Sequence, residues 1–297
     1  MLAIAWACPT IRFMNKLPTD KRNIIIGLLV EGSSLRSISR LTGVSINTVT
    51  KILVDAGEAC AAYHDEHVRN VSAKSIQCDE IWSFCYAKEK NVPNAVNAPE
   101  EAGDVWTWTA MDSDTKLIIS YLVGGRDAEY ANEFMHDVAG RLTHRVQLTT
   151  DGHSPYLEAV EGAFGVDIDY AMLIKTYSGN KVTSLKKVCI TGNPKDEEIN
   201  TSYIERHNLT MRMHMRRFTC LTNAFSKKIN NHISTLSLYF VYYNFCKIHK
   251  TLKVTPAMES GISDTLRDIA WIGELMDARQ PPAKKRGPYK KMDRKAA

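Results

Sequence analysis

The chain has 297 residues, 44% of them hydrophobic and 24% charged, which suits a globular protein with one large or two ordinary domains. Its formal charge of +5 is uneven, because eight Lys or Arg face a single Asp between Arg279 and Ala297. No apolar run reaches the ~18–20 residues of a membrane span, and seven Cys with no Cys-x-x-Cys pair argue for reduced thiols and against structural zinc. These features point to a cytoplasmic protein with no membrane partner.

Residues 1–17 form an N-terminal extension. Its apolar start lacks the cationic lead of a signal peptide, and Met14 is a second candidate start. Residues 18–60 read as three short helices. Asp20 caps the first, Ser33 or Ser34 the second and Ser45 the third, with the turn Thr42-Gly43-Val44 before the last. A short helix, a Gly-containing turn and a helix with a small polar front make a helix-turn-helix, an all-α unit that reads DNA. Ser45, Asn47, Thr48, Thr50 and Lys51 form that front; a three-helix bundle used only for packing is the plainer reading. Residues 61–74 are a charged helical linker.

The texture then changes to strands. Ser75 to Tyr86 is rich in aromatic and apolar residues around the adjacent acids Asp79 and Glu80, which a strand sends to opposite faces. Asp79 is the functional candidate, and Glu80 is expected to point away. Strands at about 104–111 and 116–123 flank the hairpin turn Asp112-Ser113-Asp114-Thr115. A helix opens at Asp127, and a β-branched strand from Arg145 ends in Asp151-Gly152. An Asp at the carboxyl end of a parallel strand stands where α/β sheets place ligands. A helix from Pro155 and a fifth strand at 168–176 follow, and 177–200 reads as a polar loop.

Thr201 to Phe218 contains no Gly or Pro and reads as one helix. Ile204, Met211, Met215 and Phe218 share its apolar face, and Glu205, Asn208, Arg212 and Arg216 form a second stripe. No further acid appears until Glu259, so this surface suits a polyanion. Glu205 reads plainly as a first-turn acid favoured by the helix dipole, or as a metal ligand. Residues 75–258 thus form the catalytic domain, 259–278 a C-terminal helix and 279–297 a flexible basic tail, where Lys284, Lys285 and Arg286 act as a DNA clamp.

This element order is that of a ribonuclease H-like α/β fold, a mixed five-stranded sheet with flanking helices. The fold gathers an acid from its first strand, fourth strand and late helix, here Asp79, Asp151 and Glu205. Convergent carboxylates repel unless a cation lies between them. Oxygen ligands suit two Mg²⁺ or Mn²⁺ ions, which drive phosphodiester displacement.

The stretches Cys78-Asp79-Glu80-Ile81-Trp82-Ser83-Phe84, Thr149-Thr150-Asp151-Gly152-His153, Tyr203-Ile204-Glu205-Arg206-His207-Asn208-Leu209 and Tyr243-Asn244-Phe245 with His249-Lys250-Thr251-Leu252 resemble the DDE transposases of the insertion sequence 1 family. The resemblance runs from about Met14 to Lys291 and departs from the prototypes in having no N-terminal Cys-based zinc finger. It implies phosphodiester hydrolysis at the ends of an insertion sequence and 3′-hydroxyl strand transfer into target DNA. It also implies a homo-oligomer on double-stranded DNA, both terminal repeats and target, beside the nucleoid. A catalytically inactive DNA-binding regulator or decayed copy is the alternative, and a structure-selective nuclease such as a junction resolvase is another. The presence of all three acids favours the enzyme.

Overall fold

The computed structural model describes residues 17–179, 181–219 and 224–279. The basic tail and nearly all of the N-terminal extension, with Met14, Lys284, Lys285 and Arg286, lie outside the described residues.

Three helices open it: α1 (Thr19–Val30), α2 (Leu35–Thr42) and α3 (Ile46–His67). Pro18 precedes α1 with no side-chain cap, so Asp20 sits in its first turn rather than capping it. Ser34 caps α2 through the Ser37 amide, and Ser45 caps α3 through the Thr48 amide. Gly43 closes α2 at φ 67°, a left-handed conformation that costs glycine little. The sequence boundary at 60/61 falls inside α3, which runs on for 22 residues. Nothing breaks it, and its inner face of Val49, Ile52, Leu53, Ala56 and Cys60 stays buried throughout.

The sheet has six strands, ordered β3-β2-β1-β4-β5-β6. β1 (Ser75–Cys85), β2 (Gly103–Asp112) and β3 (Ile118–Gly124) form an antiparallel meander. Helix α4 (Ala128–Ala139) crosses back, and β4 (Gln147–Thr150) then pairs parallel with β1. After α5 (Pro155–Phe164), β5 (Asp169–Ser178) pairs parallel with β4. The sixth strand, β6 (Lys181–Thr191), pairs antiparallel with β5 and corrects the expectation of five strands and a 177–200 loop. Its side chains are almost all exposed, so no buried face imposes the alternation that reveals a strand.

Helix α6 (Ser202–His214) ends at Met215, whose backbone is extended at φ −124° and ψ 100°; a 3₁₀ turn, Arg216–Phe218, follows. α7 (Ile229–Val241), a π turn at Tyr242–Cys246, α8 (Pro256–Glu259) and α9 (Ile269–Arg279) complete the described chain. The helix expected over 259–278 is therefore the shorter α9.

Two cores hold these layers. The larger joins α1–α3 to α4, α5, α7, α9 and one face of the sheet, from Ile25 through Cys60, Trp108 and Phe134 to Met276. The smaller fills the opposite face, where Ile204, Met211, Met215 and Phe218 pack against Ile81, Ile118, Leu236 and Phe240. The apolar stripe read across 204–218 is thus buried despite the break at Met215. Among the described residues no helix is long and apolar enough to cross a membrane.

Candidate active site

The parallel ladder between β1 and β4 ends at the pair Gln77↔Thr149. Beyond it β4 stops, and the chain leaves the sheet at Asp151-Gly152. Asp79 lies two residues past that last pair on β1, and Asp151 the same distance past it on β4. Both therefore stand where the strands part. Asp79 faces α6, as Gln77 does, whose Oε1 accepts from the Tyr203 and Ile204 amides. Glu80 takes the other face, opposite Trp108 in the ladder.

Glu80 does not lead away from the site. With β4 ended, nothing separates the two faces of β1 at this point, and its carboxylate meets Asp151 from behind. One carboxylate oxygen each from Asp79, Glu80 and Asp151 lie within 4.8 Å of one another. This corrects the expectation that Glu80 points away.

The cluster is electrostatically strained without a cation. Burial, then the Asp151 charge, lifts Asp79 to about 6. The same two causes, with Asp79 added, lift Glu80 to about 8. Among the described residues both Glu80 oxygens are buried with no hydrogen-bond partner, an arrangement that costs free energy unless a ligand fills it. Cationic compensation among the described residues is weak: Arg126 Nε lies 3.8 Å from Glu80 Oε1, and an Arg126 terminal nitrogen lies 3.9 Å from Asp151 Oδ2. His153 Nε2 is 3.8 Å from Glu80 Oε1, and burial and Arg126 lower its pKa. Three hard oxygen donors, the Glu80 one buried and unpartnered, fit a Mg²⁺- or Mn²⁺-sized cation.

Glu205 lines the same cleft, of about 730 Å³, together with Asp79, Asp151, Lys175, Asn208 and Arg212. It stands outside the close carboxylate cluster. Its Oε1 accepts hydrogen bonds from Lys175 Nζ and the Thr201 hydroxyl. Asn208, one turn on, donates from Nδ2 to Asp79 Oδ2 at 2.8 Å. Arg212 reaches the cleft, whereas the break at Met215 takes the exposed Arg216 off this helical face. Arg126 and Lys175 were not singled out in the sequence, where each is one charge in a loop or strand and only the fold aims it.

The other candidate surface divides in two. The hydroxyls of Ser45 and Thr48 bond each other, and Thr50 donates to the Ile46 carbonyl. Asn47 and Lys51 are exposed, and Lys51 pairs with Asp55 at 2.6 Å.

No protein-family model matches this chain, and no curated protein matches it. Among solved structures, similarity is found to the Mos1 transposase paired-end complex with left transposon end, at TM-score 0.24 and 13% identity. That match covers 54% of this chain and 61% of that one, so the chain spans less than two thirds of it. A second is the piggyBac transposase synaptic complex with hairpin DNA, at TM-score 0.40 and 10% identity, covering 94% of this chain and 77% of that one.

Proposed function

We propose that this chain is a metal-dependent DNA transposase that hydrolyses a phosphodiester at the ends of an insertion sequence and transfers the freed 3′-hydroxyl into target DNA. The observation that carries the reading is the meeting of Asp79, Glu80 and Asp151 oxygens within 4.8 Å in a cleft rimmed by Arg126, Lys175 and Arg212. Acids at the floor bind cations, and cations at the rim bind phosphate. The order β3-β2-β1-β4-β5 agrees with the ribonuclease H-like catalytic domain expected over 75–258.

Asp79, Glu80 and Asp151 would hold the divalent ion, and Glu205 would join them across the cleft. When bound, such ions supply an activated water or hydroxyl and a counter-charge for the leaving oxygen. The protein's own groups do the positioning. Asn208 and the Glu80 amide fix the Asp79 carboxylate by donating to Oδ2 and Oδ1 respectively. Arg126 and Arg212 pair with backbone phosphates and set the register of the duplex. A phosphate at the rim would compete with Glu205 Oε1 for Lys175, leaving the Thr201 hydroxyl on that oxygen. His153, a neutral imidazole beside Glu80, offers Nε2 to a proton or a water.

Asn47 and Lys51 on α3 read the terminal repeats in this scheme, and the tail around Lys284–Arg286 clamps DNA without regard to sequence. Two copies, each cutting one end, give a homo-oligomer on DNA in the cytoplasm.

The test is cleavage of a plasmid carrying the genomic sequence from both sides of the reading frame. Mg²⁺ or Mn²⁺ should give nicks at discrete positions with 3′-hydroxyl ends, and EDTA none. Asp79→Asn and Asp151→Asn should each lose at least about a hundredfold, the scale of removing a principal electrostatic contributor to a transition state. Wild-type cleavage unaffected by EDTA, or full activity in either variant, would refute the assignment.

A further inference from the structure

The register of β1 on β2 pairs Glu80 with Trp108 and, two residues on, Trp82 with Trp106. Alternation places Glu80, Trp82 and Phe84 on one face of β1 beside Trp106 and Trp108 of β2. Trp108 is fully buried, against Phe134 and Tyr156. Trp82 and Trp106 are only half-buried, although a Trp is among the most rewarding side chains to bury.

Cations stand over both indoles. The Arg126 guanidinium carbon lies 4.5 Å from the Trp106 ring centre. Lys88 Nζ lies 5.3 Å from the Trp82 ring and 5.9 Å from Phe84. A cleft of about 450 Å³ opens here, lined by Trp82, Lys88, Glu89, Lys90 and Asp104. Its two acids brace the turn that carries Lys88: Asp104 Oδ1 accepts from the Glu89 amide at 3.0 Å, and Glu89 Oε2 from the Asp104 amide at 3.3 Å.

The surface is continuous with the acidic cluster. Two residues along a strand is about 7 Å, so the Trp82–Trp106 pair begins one step from Glu80. Arg126, stacked on Trp106, is the same side chain that approaches Glu80 and Asp151. Half-open aromatic faces flanked by cations are the chemistry of a nucleobase site: the base stacks, and its phosphates pair with Lys and Arg. A base within a duplex is already stacked on both sides, so only an unpaired or extruded base can use this surface.

We propose that Trp82 and Trp106 form a stacking platform for unpaired nucleobases of the DNA substrate beside the cleavage cleft, with Lys88 and Arg126 on the flanking phosphates. The inference rests on the DNA-cleaving reading above and adds that the strands separate locally at the site. It also gives Arg126 two duties, on the platform and at the rim.

The test uses binding alone, in EDTA, so that cleavage does not enter. Two fluorescein-labelled duplexes share one sequence drawn from the flank of the reading frame; one is blunt and the other ends in a three-nucleotide fork. The wild type should bind the forked duplex more tightly. Trp82→Ala should cut forked binding by roughly 5- to 150-fold more than blunt binding, the equivalent of about 1–3 kcal/mol for one stacked base. Trp82→Phe, which keeps a ring, should retain most of the preference. Quenching of wild-type tryptophan fluorescence by a thymidine 12-mer gives a readout independent of how well any variant folds. Equal losses on both duplexes in Trp82→Ala, or no quenching, would show that the rings only support the fold. A wild type that binds both duplexes equally overturns the platform alone, whereas one that binds neither overturns the proposed function as well.

Discussion

Gly57, midway along α3, faces Ser234 of α7 with no room for a side chain. A Cβ built there would lie 2.4 Å from Ser234 Cβ, 2.5 Å from its Cα and 2.5 Å from its carbonyl oxygen. Two of those three atoms are backbone, so no rotamer change relieves the overlap. Gly57→Ala must push α3 and α7 apart by nearly 1 Å and disturb the core shared by the N-terminal helices and the sheet. Overpacking of this kind costs about 1–3 kcal/mol, and backbone contacts put it at the upper end. Alanine returns up to about 1 kcal/mol of helix propensity, leaving a net loss near 2 kcal/mol. In a chain of this size that lowers Tm by about 3 °C. Gly27 in α1 is the internal control: it too is helical, but nothing lies within 4 Å of its Cβ position, so Gly27→Ala should gain up to about 1 kcal/mol. Calorimetry or circular-dichroism melts of the two variants separate packing from propensity. A Gly57→Ala protein melting at or above wild type would refute the close α3–α7 contact, and with it the rigid seating of the N-terminal helices.

The acidic cluster makes a second prediction. Mg²⁺ or Mn²⁺ should raise Tm in wild type, because an ion bound only to the folded state stabilises it by mass action, and Glu80→Gln should abolish most of that rise; an undiminished rise would remove Glu80 from the ligand set. Buried histidines set an acid limit on stability. Burial, then Arg141, lowers His64 to about 4, and burial, then Arg217, lowers His232 to about 3, against about 6.5 unfolded. The unfolded chain therefore binds more protons below pH 6.5, and stability falls with pH by about 1.4 kcal/mol per unit for each histidine until its folded value is reached. Asp79 and Glu80 act with the opposite sign, so the check is the difference in denaturation midpoints at pH 7.5 and 5.5 between wild type and His64→Gln or His232→Gln. Each variant should flatten the slope, and parallel slopes would refute it. Arg212→Ala should weaken duplex binding and reduce the log–log salt slope by about 0.9, one phosphate contact; an unchanged slope on a random duplex would take Arg212 off the DNA.

Much of this was legible from residue order alone, wherever a local rule acts unopposed. A run rich in apolar and aromatic residues marked β1 because both its faces are buried, and Asp-Gly marked the end of β4 because the chain must turn there. Ile204, Met211, Met215 and Phe218 announced a buried face because one layer covers them all, even across the break at Met215. That break has no Gly or Pro to announce it. β6 was missed for the opposite reason: its ladder to β5 is made of backbone, and its Lys, Thr and Ser side chains meet no core.

The residue sequence by itself determined the first three helices with the Ser34 and Ser45 caps and the turn at Gly43, the first three strands, and the placing of Asp79 and Asp151 at strand positions suited to a site. Tertiary structure alone decided what those positions meet. Glu80 enters the cluster because β4 ends beside it, and Glu205 is held at the rim because β5 sets Lys175 against it. Arg216 departs because the helix stops at His214 and the backbone is extended at Met215. Each outcome depends on where a neighbouring element begins or ends, and carboxylates far apart in the chain feel one another only after the sheet has brought them within a few ångströms.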